Sequence, residues 1–81
     1  MNYIETIVLY YEQGAFESAA MVCENAFKAT GNSLYLHASR RFRTAFKYGS
    51  DMHSSALLAA KDALYCAKLA NGEELYNKGG V

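Results

Sequence analysis

The chain has 81 residues, 52% of them hydrophobic, and its eight lysines and arginines balance eight acids to a net charge of zero. That length makes one domain, burying roughly 60–65% of its unfolded surface, enough for a single small core. Neutrality disfavours a nucleic-acid partner. No run of about 18 apolar residues occurs, so no membrane span is expected, and the absence of proline fits uninterrupted helices.

The first helix is expected at about residues 2–13. Tyr3, Ile7 and Tyr10 share one face and Ile4, Val8 and Tyr11 another, leaving little polar surface. A helix apolar nearly all round is normally covered on both sides. Gly14 stands where the chain reverses, since glycine takes a left-handed conformation without steric cost. The second helix follows at about 16–30. Ala19, Cys23 and Ala26 fall at i, i+4 and i+7, a small-residue face that lets a neighbouring helix approach closely. Gly31-Asn32 closes it, and Asn32-Ser33 offers capping oxygens for the next helix.

A third helix is expected at about 34–48, with Ala38, Phe42, Ala45 and Phe46 on one side and Gly49 at its end. Helix four, about 53–70, carries Ala56, Ala60, Ala63 and Ala67 at i, i+4, i+7 and i+11. Asn71-Gly72 is expected to break it, leaving residues 71–81 as a tail with at most a short helical stub. The fold class is thus all-α: four helices in two antiparallel hairpins within a single domain, 1–81. The repeats span about 2–31 and 34–70.

Charge is segregated along this neutral chain. Residues 1–25 carry Glu5, Glu12, Glu17 and Glu24 without a base, and residues 26–50 carry Lys28, Arg40, Arg41, Arg43 and Lys47 without an acid. Such segregation sets which surfaces meet. Arg40, Arg43 and Lys47 are candidate contacts for an acidic partner. Cys23 and Cys66 lie on expected apolar faces and read as small buried hydrophobes. The start MNYIET lacks a basic flank, which points to an intracellular chain. No nucleophile elbow, phosphate loop or metal-spaced cluster appears, and His37 and His53 stand alone, so neither enzyme nor cofactor nor metal site is expected.

The pattern resembles a tetratricopeptide (TPR) repeat, a signature of residue sizes with a period of about 34, and the resemblance implies two hairpins stacked in a right-handed superhelix. Tyr3, Ile7, Tyr10, Gly14, Ala19, Cys23 and Ala26 take the packing positions of the first repeat, and Ala56 and Ala63 those of the second helix of the next. Gly14 and Gly49 are 35 residues apart. Thr6 stands where leucine is usual and Ile7 where glycine is, which implies a wider helix spacing. Two repeats are fewer than the three usually needed for a stable array, so either a longer chain or a partner is implied.

Within that family, residues 15–38, AFESAAMVCENAFKATGNSLYLHA, are similar to the amino-terminal TPR region of scaffold subunits of the anaphase-promoting complex. Lys68-Leu69-Ala70-x-Gly72-Glu73 also resembles a stretch in one of them, whereas about 39–57 is shorter here and matches poorly. The resemblance implies a non-enzymatic, homodimerising scaffold of a ubiquitin ligase acting in cell-cycle control, nuclear and cytoplasmic, holding other protein subunits. Its self-association face is expected to comprise Ile4, Val8, Tyr11, Leu36 and Phe46. The alternative is a stand-alone TPR adaptor or chaperone that takes an extended or acidic peptide in its groove.

Overall fold

A computed structural model describes residues 2–48 and 54–79, with side chains of the last helix described for 55–73. Four helices and no strand occur among the described residues: α1 (Tyr3–Glu12), α2 (Phe16–Thr30), α3 (Ser33–Tyr48) and α4 (Ser54–Gly79). The all-α expectation holds.

The turns follow from local chemistry. At α1, Gly14 takes φ 73°, its N–H donates to the Tyr11 carbonyl at 3.0 Å, and the Ala15 N–H donates to the Tyr10 carbonyl at 2.9 Å. These paired bonds around a left-handed residue form a Schellman motif, which occupies carbonyls the helix end leaves open. Gly31, also at φ 73°, ends α2 with one bond from its N–H to the Phe27 carbonyl at 2.7 Å. Asn32 then starts α3, its Oδ1 accepting from the Leu34 N–H at 3.0 Å. Gly49, the expected end of α3, lies outside the described residues.

Opposing pairs give the helix directions. Arg41 faces Asp62 and Asn32 faces Glu73, so positions that rise along α3 fall along α4, and the two are antiparallel. The two-residue link between α2 and α3, and the short turn at Gly14, make the other sequence neighbours antiparallel too. Each helix packs mainly on two others, in the cyclic order α1–α2–α3–α4–α1, and the diagonal pairs α1–α3 and α2–α4 are the weaker ones. The result is a closed four-helix arrangement, 45 × 19 × 18 Å. It differs from the expected right-handed stack of hairpins, in which the first and third helices would lie side by side.

The expected break at Asn71-Gly72 does not occur: α4 runs on to Gly79, and residues 71–79 are helix rather than tail. One interior glycine costs only about 1 kcal/mol relative to alanine. Here Ala70 is fully buried, Asn71 is half-buried, and Glu73 Oε1 accepts from Asn32 Nδ2 at 3.1 Å. Those contacts hold the helix beyond the glycine, at the end of the bundle where Tyr3 meets Tyr35 edge to face at 6.3 Å.

The core is made of small residues around two large ones. Ala19, Ala20, Cys23 and Ala26 of α2, with Ala59, Ala60, Ala63, Ala67 and Ala70 of α4, are buried. Tyr35 and Phe42 of α3 fill the space between, and Phe42 stacks on Phe16 at 6.3 Å. The small residues let the helices approach, and the aromatics supply apolar area.

Candidate functional site

Of the five residues expected to form the self-association face, Ile4, Val8, Tyr11 and Leu36 are half-buried within the single chain and only Phe46 is exposed. Ile4 and Tyr11 pack against the core, Tyr11 beside Phe16 at 6.4 Å. The second apolar face of α1 is thus partly covered inside the chain, where α1 packs on both α2 and α4.

The packing positions read from the sequence differ in burial. Ile7, Ala19, Cys23, Ala26 and Ala63 are fully buried and Ala56 is 3% exposed. Tyr3 and Tyr10 are half-buried and packed against the core.

Arg40, Arg43 and Lys47 project from one side of α3, as their i, i+3, i+7 spacing requires. They are not equivalent. Arg43 Nη2 lies 2.7 Å from Glu24 Oε2 on α2 and its Nε donates to the same oxygen at 2.8 Å, so its charge is engaged within the chain. Arg40 and Lys47 are exposed and have no ion partner among the described residues. Their side of α3 borders an open cleft of about 490 Å³ lined by Ser33, Leu34, Leu36, His37, Arg40 and Cys66.

Four of the eight exposed large hydrophobic side chains among the described residues lie on α4, where sequence reading placed no function. Its alanines face inward, while Leu57, Leu58, Tyr65 and Leu69 are 49%, 64%, 62% and 42% exposed. Leu58, Tyr65 and Leu69 are spaced i, i+7 and i+11 and form one outward stripe. At 100° per residue, Lys61 and Lys68 flank the stripe on one side, and Asp62 and Glu73 on the other. A polar outer face is the usual companion of a buried alanine stripe; α4 has leucines and a tyrosine instead. The signal was present in the spacing of these four residues but was masked by the alanine ladder.

A second grouping lies between α3 and α4. His37, read as isolated, comes together with Asp62 and Cys66, one donor atom of each lying within 4.8 Å of the others. His37 Nε2 is 4.0 Å from Asp62 Oδ2. Arg41 Nε is 2.9 Å from the same oxygen but is not aligned to donate a hydrogen bond. Burial, and then the Asp62 carboxylate, push the Cys66 thiol above its ordinary value, and the Arg41 guanidinium draws it partly back. A protonated thiol is a poor nucleophile, so the trio is not an activated cysteine site. Antiparallel register produces the grouping: Asp62 and Cys66 are one turn apart on α4, opposite His37 and Arg41, one turn apart on α3.

No helix among the described residues is long and apolar enough to cross a membrane. No family model matches the chain, and no significant match was found among curated proteins or solved structures.

Proposed function

We propose that the chain is a non-enzymatic protein-interaction module that pairs with a second copy of itself through the outer face of α4. The carrying observation is the inversion of α4, with alanines inside and Leu58, Tyr65 and Leu69 outside. Contiguous exposed apolar surface of this kind marks an interaction site. The flanks favour a second copy as the occupant. When two α4 helices lie in parallel about a two-fold axis, the Lys61–Lys68 flank of each meets the Asp62–Glu73 flank of the other, an arrangement of unlike charges.

The expected strength follows from the area left to cover. Fully burying one such side chain contributes roughly 1.5–3 kcal/mol. Three side chains per copy, each about half exposed, give roughly 4–9 kcal/mol for the pair. Association costs about 4–15 kcal/mol, so the pairing is weak and concentration-dependent. Sedimentation up to about 500 micromolar, the range of a millimolar-to-micromolar equilibrium, tests it. A monomer–dimer equilibrium abolished by Leu58→Glu is expected, and a strict monomer contradicts the reading.

A finer reading makes this the dimerising TPR scaffold of a ubiquitin ligase, the anaphase-promoting complex, working inside the cell. The left-handed Gly14 and the buried Ala19, Cys23 and Ala26 support it. The packing of α1 on α4 weighs against a superhelical stack. A small adaptor for acidic peptides is supported by exposed Arg40 and Lys47 beside the α3–α4 cleft. Binding of an acidic peptide lost on Arg40→Glu, with self-association intact, would favour the adaptor.

A further inference from the structure

We propose that His37, Asp62 and Cys66 form a binding site for a divalent transition-metal ion of the zinc class, bridging α3 and α4. Imidazole nitrogen, carboxylate oxygen and cysteine sulfur are the three protein donors zinc takes, usually in tetrahedral geometry. The three donor atoms lie within 4.8 Å of one another, with His37 Nε2 and Asp62 Oδ2 4.0 Å apart. Ligand bonds of about 2.0–2.3 Å set tetrahedral edges of roughly 3.3–3.8 Å, so the most distant pair of donors needs to close by about 1–1.5 Å. His37 is well placed to supply that movement, its side chain being 58% exposed. Asp62 and Cys66 are fixed by their one-turn spacing on α4.

Two features suit the surroundings to an ion. Asp62 Oδ2, 4.0 Å from His37 Nε2, lies 2.9 Å from Arg41 Nε, which is not aligned to donate to it, so its lone pairs stay open to an ion while the guanidinium steadies the carboxylate; a ligating carboxylate with a second group beside it is a common outer-sphere arrangement. His37 and Cys66 also line the open cleft between α3 and α4. The ion therefore has a route in, and its fourth position opens to water. The positive charge of Arg41, and that of Arg40 on the cleft wall, oppose the ion, which points to moderate affinity. Coordination removes the proton of the Cys66 thiol to solvent as the metal–sulfur bond forms, so binding strengthens as pH rises. Asp62 also flanks the outer face of α4, but Leu58 and Tyr65 are not donors, so Leu58→Glu, which keeps the chain monomeric, should still bind the ion.

The test is titration of the purified, reduced chain with Co²⁺ and then Zn²⁺, read by absorption. One equivalent of Co²⁺ should produce a thiolate-to-cobalt charge-transfer band and the visible bands of a tetrahedral ion, which Zn²⁺ then displaces. Loss of an outer-sphere partner weakens metal binding by about 10–100-fold, so His37→Ala and Cys66→Ser should each weaken it at least that much. His37→Ala removes a largely exposed side chain and leaves the fold intact, by circular dichroism, so it remains informative even if Cys66→Ser unfolds. Affinity should rise between pH 6.5 and 8 by up to about tenfold per pH unit for the single thiol proton released. Absence of a charge-transfer band, or a band of equal strength in His37→Ala, overturns the site. So does a band abolished by Cys23→Ala but retained in Cys66→Ser.

Discussion

Helices α2 and α4 carry the same small-residue ladder and bury it in the same way, yet their other faces differ. In α2 the larger apolar residues Phe16, Val22 and Phe27 flank the ladder and pack against the core. In α4 Leu64 alone of the described residues of that size packs against the core, and Leu57, Leu58, Tyr65 and Leu69 turn away from it. An alanine ladder thus states how closely a neighbour approaches, and says nothing about what covers the rest of the helix. In α2 three of the four larger apolar side chains are used within the chain, Met21 being the one exposed; in α4, among the described residues, Leu57, Leu58, Tyr65 and Leu69 are left over. That surplus is the physical basis for assigning self-association to α4 rather than to α1.

If the two inner faces are equivalent, they rest on the same packing residues, and the largest effect comes from removing one. Phe42→Ala should destabilise the fold by about 3–5 kcal/mol, since Phe42 is fully buried and stacked on Phe16; chemical denaturation measures it. Overpacking either ladder comes next. Ala19→Leu or Ala26→Leu in α2 and Ala63→Leu in α4 should each cost about 1–3 kcal/mol, and a markedly smaller cost in α4 would break the equivalence. The smallest effect distinguishes the two cysteines. Burial above all, with Glu24 and then Cys66 adding to it, pushes the Cys23 thiol up to about 12. A thiol held protonated in the folded chain contributes stability that is lost as pH rises from the unfolded value, about 8.5, towards the folded one. Between pH 8 and 9.5 the wild type should lose about 1 kcal/mol more than Cys23→Ala, measured by urea unfolding at each pH.

Much of the fold was legible because the chain repeats its cues. Gly14 and Gly31 marked turns that only a left-handed residue makes easily, and the spacing of Ala19, Cys23 and Ala26 identified the face α2 buries. The cue that misled was Asn71-Gly72. It has the composition of a helix end, but its context, with Ala70 buried and Glu73 reaching Asn32, outweighs one glycine's cost. The cover of α1 was hidden for another reason: it comes from packing on both α2 and α4, which the spacing within α1 does not contain, so Ile4, Val8 and Tyr11 read as an interface. The grouping of His37, Asp62 and Cys66 was equally hidden, since it depends on the register between α3 and α4, which no local spacing contains. Arg43 read as available for a partner for the same reason, because Glu24 is 19 positions away in sequence.

The central claim, that the outer face of α4 is where copies of the chain meet, is tested most directly by sedimentation of three chains side by side. The wild type should shift from monomer towards dimer as its concentration rises to about 500 micromolar. Leu58→Glu/Tyr65→Glu should stay monomeric while unfolding within about 0.5 kcal/mol of the wild type, as exposed substitutions do. Val8→Glu should still dimerise wherever it remains folded. A dimer that survives the α4 substitutions and is lost in folded Val8→Glu, or a wild type that never leaves the monomer, would contradict the account.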